Sequence, residues 1–174
     1  MIGVVCTLAT LIVFGTGYND NAEHKPTEHK NRVLQFQSDE EAPEHNVHSF
    51  ELSTKNGIIK KTSLTEYNSA RKTGLLSITL KEDDELIDVR LTDGEDNVVL
   101  VTKGGMSITF DEKDVRPMGR VSQGVIGIRL GKDDEVIGME SIIAGANATL
   151  LAITENGFGK RTELDEYRVQ IRGG

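Results

Sequence analysis

Arginine and lysine recur at matched places along this chain. Lys72, Arg120 and Arg172 share one column of an internal alignment, and Arg71, Arg116 and Arg168 lie in the same three loops. A guanidinium presents its N–H donors in a plane, so it can grip a phosphate through two of them without reading a base. Gly74, Gly119, Gly124 and Gly173 flank these cations. A missing Cβ lets backbone amides approach an anion closely. A second set, Lys60, Lys61, Lys160 and Arg161, sits at equivalent positions of the strand-like runs after the turns, where the middle repeat has Ile108 and Thr109. One such cation alone reads as a solvated charge. The repetition makes these ten the candidate contacts for a polyanion.

Other chemistries find less support. Tyr67 and Tyr167 are equivalent, but Val115 stands between them in the alignment, which points to packing rather than a nucleophile. Glu23-His24, Glu28-His29 and Glu44-His45 follow no compact zinc spacing. No acid–base pair recurs and no nucleotide-binding loop is present, so neither catalytic residues nor a cofactor or metal are expected. The acidic turns Glu82 to Glu85 and Asp133 to Glu135 read as solvated connections. The formal charge of −8 argues against a polyanionic partner. Screening over about 8–10 Å, however, makes the local arrangement of cations decisive. Cys6 is the only cysteine, so no intrachain disulfide forms, and a reducing compartment is the simpler reading.

The elements that must carry these loops follow from the repeat. Thr54-Lys55-Asn56-Gly57, Thr102-Lys103-Gly104-Gly105 and Thr154-Glu155-Asn156-Gly157 each separate two β-type runs. That pattern predicts three hairpins on primed turns, with positive φ at the central residues. Gly74 to Leu80 then matches Gly124 to Leu130, and Asp83 to Ile87 matches Asp133 to Ile137 at an offset of 50. About four short strands per unit, at this period, predict propeller blades. The expectation is an all-β, partial β-propeller of about two and a half four-stranded blades, at 49–95, 96–146 and 147–174. Residues 1–48 read as a divergent segment holding every histidine and an apolar start. No Lys or Arg precedes that start and it is short for a membrane span, so strands are expected there rather than a signal or anchor.

Beyond the pattern, the residues resemble a known family. Asp88 to Gly94, Asp114-Val115-Arg116-Pro117-Met118-Gly119-Arg120, Gly124 to Leu130, Thr154 to Thr162 and Glu166 to Gly174 look like the C-terminal domain of the DNA gyrase A subunit. The resemblance runs from about Phe50 to Gly174. It implies a β-pinwheel, a six-bladed propeller whose neighbouring blades exchange a strand. It also implies a module that bends duplex DNA around a basic rim and supports negative supercoiling. The chain would then be part of an ATP-dependent type II topoisomerase, DNA gyrase, whose nucleophilic tyrosine lies in another domain. The implied partners are double-stranded DNA, the rest of the gyrase A subunit, and the gyrase B subunit. The implied place is the cytoplasm, at the nucleoid and without a membrane. The family's glutamine–basic–arginine–glycine–glycine–lysine–glycine box belongs to a first blade that is missing here. Gln170-Ile171-Arg172-Gly173-Gly174 approaches it, with Ile171 at the basic place. The alternatives are the equivalent C-terminal domain of topoisomerase IV, or an interaction propeller that does not bind DNA.

Overall fold

The computed structural model describes residues 3–6, 49–68, 74–146, 148–154 and 156–174. Its strands are β1 (Gly3–Cys6), β2 (Ser49–Thr54), β3 (Ile58–Ser63), β4 (Leu86–Thr92), β5 (Asp96–Thr102), β6 (Ser107–Asp111), β7 (Val125–Ile126), β8 (Val136–Ile143), β9 (Thr149–Ile153) and β10 (Gly159–Glu163). They form three antiparallel sheets, ordered β4-β2-β3-β7, β6-β5-β8 and β1-β9-β10. Beside β9, β1 takes the place that β4 has beside β2 and β8 has beside β5. Arg71 and Lys72 lie outside the described residues, as does most of the segment 1–48.

The three hairpins form where the repeat predicts them, but on a different turn. Gly57, Gly105 and Gly157 have φ of +79°, +83° and +79°, whereas Lys55, Asn56, Lys103 and Gly104 have no positive φ. Each glycine N–H donates to the threonine carbonyl three residues back, at 2.9–3.0 Å. The demand for left-handed backbone thus falls on the residue after the two central ones. That is the geometry of a longer hairpin loop closed by a glycine bulge, not of a primed two-residue turn.

The acidic turns also differ from expectation. Asp84 is buried; its Oδ2 accepts from Thr54 Oγ1 at 2.8 Å and its Oδ1 from the Asn56 amide at 2.9 Å. Asp134 repeats the arrangement, taking the Gly104 amide at 2.8 Å. The Thr102 hydroxyl, then these amides, hold the Asp134 carboxyl below the usual carboxylate range. Each acidic turn therefore clamps the hairpin tip of its own unit.

The largest difference concerns the runs Gly74–Leu80 and Gly124–Leu130. Only Val125–Ile126 is a strand, and it pairs with β3 of the preceding unit instead of β6. Gly124 makes that crossing possible: with φ +93°, a Cβ there would lie 2.7 Å from Ile58 Cγ2 and from the Ile59 carbonyl. The second unit thereby contributes a strand to the first sheet, and a core of Ile59, Leu100, Phe110, Val115, Ile128 and Met139 fills the space between the first two sheets. Arg90 on β4 braces the seam through two bonds to Glu140 on β8, at 3.0 and 3.3 Å. Tyr67 packs edge-on against Phe50 at 5.2 Å and Val115 is buried, as the packing reading of that column requires. Among the described residues no helix is long and apolar enough to cross a membrane.

Candidate nucleic-acid interface

The loops that cross from one unit to the previous one carry the leading cations. After β6 the chain makes a single 3-10 turn, Glu112–Asp114, capped by Asp111, whose carboxylate accepts from the Lys113 amide. It then runs beside β3, with Pro117 bridging Lys61 in parallel and the Met118 amide donating to the Lys61 carbonyl at 2.8 Å. After β10 the sequence repeats the manoeuvre. A 3-10 turn at Leu164–Glu166 leads to Val169, which bridges Thr109, and the Gln170 amide donates to the Thr109 carbonyl at 2.9 Å. Lys61 and Thr109 are equivalent, since they oppose Glu51 and Val99 across their hairpins. Arg116 and Arg168 therefore occupy the same corner of successive units, and both are exposed.

Arg120 and Arg172 follow in the same loops, half-buried. Arg172 donates through Nε to the Asp114 carbonyl and through Nη1 to the Ile126 carbonyl, both at 2.9 Å. Arg129, which the repeat did not single out, reaches back with Nη1 to the Gly173 carbonyl at 2.6 Å and the Gly174 carbonyl at 2.5 Å. These arginines stitch the crossing loop to the unit beneath it.

The second set of cations divides. Lys60 and Lys61 are buried, which removes them from the outer face and corrects their assignment as candidate contacts. Lys60 Nζ donates to the Ser77 carbonyl at 2.5 Å and to the Arg120 carbonyl, so it anchors the loop that carries Arg120. Burial, and then the Arg120 charge, bring its ammonium down to about 8. Lys61 Nζ is ion-paired to Glu112 at 2.5 Å. The physical reason is the crossing loop: it covers β3 and turns these two lysines into interior groups. Lys160 and Arg161, their equivalents on β10, remain exposed.

The model of the family described as "DNA gyrase C-terminal domain, beta-propeller" matches residues 52–93, 96–143 and 148–174. The chain belongs to this family. Among curated relatives, the DNA gyrase A subunit of Haloquadratum walsbyi (strain DSM 16790 / HBSQ001) is 43% identical over 125 residues, 72% of this chain and 15% of that protein. The DNA gyrase A subunit of Staphylococcus aureus (strain MRSA252) is 41% identical over 123 residues, 71% of this chain and 14% of that protein. The chain thus spans about one-seventh of the length of these gyrase proteins. Among solved structures, the C-terminal domain of DNA topoisomerase IV superposes with a TM-score of 0.69 at 32% identity, covering 76% of this chain and 41% of that one. A DNA gyrase A C-terminal domain gives 0.65 at 28% identity, covering 74% and 42%. In this chain the first sheet is completed by β7, a strand that the following unit supplies.

Proposed function

We propose that this chain is a DNA-wrapping module of a type II topoisomerase, part of a DNA gyrase A subunit that works in the cytoplasm on double-stranded DNA at the nucleoid. Its partners in this reading are the remainder of that polypeptide and the gyrase B subunit. Residues 49–174 form the bulk of the propeller part, and 1–48 is a divergent N-terminal segment whose strand β1 joins the third sheet. The reading rests on one observation above others: Arg116 and Arg168 take the same corner on successive units. Cations repeated on successive units suit a bent duplex, whose backbone can meet the protein surface repeatedly. Arg120 and Arg172 stand behind them, and Arg71, Lys72, Lys160 and Arg161 extend the candidate set.

The test is duplex binding by the full chain as a function of salt. Each phosphate contact contributes about 0.9 to the slope of log affinity against log salt. Arg116→Glu with Arg168→Glu should weaken binding and flatten that slope by about 2, whereas Lys132→Glu, on an exposed turn, should leave the slope unchanged. Equal slopes for wild type and the Arg116/Arg168 variant would remove the crossing loops from the interface.

A further inference from the structure

The seam between the first two sheets holds a buried anionic site that the crossing loops do not use. Glu51 opposes Lys61 as Val99 opposes Thr109 and Leu151 opposes Arg161. Glu112 opens its 3-10 turn where Leu64 and Leu164 open theirs. Two glutamates therefore stand where the sister units have valine or leucine, and both are fully buried. A carboxylate taken out of water is costly unless counter-charge and hydrogen bonds replace its hydration.

The protein groups present replace only part of it. Lys61 Nζ lies 2.5 Å from Glu112 Oε1. Glu112 Oε2 and both oxygens of Glu51 are buried without a hydrogen-bond partner. The turn joining β4 to β5 brings two more carboxylates to the same place, so that oxygens of Asp93, Asp96 and Glu112 lie within 4.8 Å of one another. Asp96 Oδ2 also accepts from Ser141 Oγ at 2.5 Å, and Asp93 Oδ1 from the Glu95 amide at 2.9 Å.

We infer that Asp93, Asp96 and Glu112 bind a calcium-sized divalent cation in the seam between the first and second sheets. The chemistry fits that class of ion: calcium takes several oxygen ligands in flexible geometry and suits a mostly buried set of protein carboxylates, whereas magnesium dehydrates reluctantly and keeps several waters. Lys61 holds Glu112 Oε1, which leaves the unpartnered Oε2 for the ion. Asp93 comes from the turn between the sheets, Asp96 from the start of β5 and Glu112 from the turn after β6, so a bound ion would tie the inter-sheet link to the second hairpin.

The experiment is a thermal melt of the full chain, stripped with EDTA and then titrated with calcium chloride or magnesium chloride. The expected result is a saturable rise in Tm with calcium and a smaller rise with magnesium, since a ligand that binds only the folded state stabilises it by mass action. Asp93→Asn with Asp96→Asn should melt higher than wild type in EDTA, because repulsion is relieved, and should lose the calcium response. Terbium luminescence competed by calcium provides a second reading on the single variant Asp93→Asn, where binding at least tenfold weaker is expected. No calcium-dependent rise in the wild type overturns the inference. So does an undiminished rise in the double variant or equal affinity in the single one, either of which would reveal an adventitious ion only.

Discussion

Lys60 shows how a cation can be diverted from a surface role. It shares an alignment column with the exposed Lys160, yet it is buried between two carbonyls. Its ammonium is lowered from 10.5 to about 8, mainly by burial, with Arg120 opposing its charge and Glu66 favouring it. Between those two values the unfolded chain binds more protons than the folded one, so stability should rise as pH climbs from about 8 towards 10.5. Urea midpoints over that window should rise more steeply for the wild type than for Lys60→Met. Parallel slopes would show that Lys60 titrates alike in both states. The sequence displayed this lysine and its column correctly but not its burial, because burial depends on a loop some 55 to 60 positions further on, at Pro117 to Arg120. Glu51 and Glu112 did carry a readable signal, a charge in a column otherwise valine or leucine, yet an alignment made to find cations passes over it.

At the level of strands and turns, local chemistry was legible and partner choice was not. The Thr-x-x-Gly runs marked all three hairpins, since a glycine bulge is a local demand. The partner of Gly124–Leu130 was not legible, because its two-residue pairing with β3 is fixed by how the sheets stack. Gly124 is where that stacking becomes testable. A Cβ at φ +93° and 2.7 Å from Ile58 and Ile59 requires the crossing strand to move. Gly124→Ala should destabilise the fold by about 2–4 kcal/mol, combining backbone strain with overpacking. Gly131→Ala has open space and no positive φ, and should change stability by less than about 0.5 kcal/mol. Chemical denaturation of the two variants side by side decides this, and similar losses in both would refute the close approach at Gly124.

Across the molecule, the first two sheets are interlaced rather than merely adjacent. The chain of the second unit supplies β7 to the first sheet, and the two share the core around Leu100 and Phe110 and the Arg90–Glu140 brace. They should therefore melt as one unit. Leu100→Ala should cost about 2–5 kcal/mol, and hydrogen exchange should speed up together in the β2–β3 and β5–β6 hairpins. Loss of protection confined to β5–β6 would mean that the sheets are independent. Arg172 carries the same interlacing into the crossing loops, since its guanidinium is fastened to main-chain carbonyls on both sides of the segment beneath it. A pull applied to that side chain is not absorbed by a swinging tether; it passes directly into the peptide framework of the preceding unit. Mechanical load on one corner would thus be distributed along the row of sheets, as tension is in woven cloth.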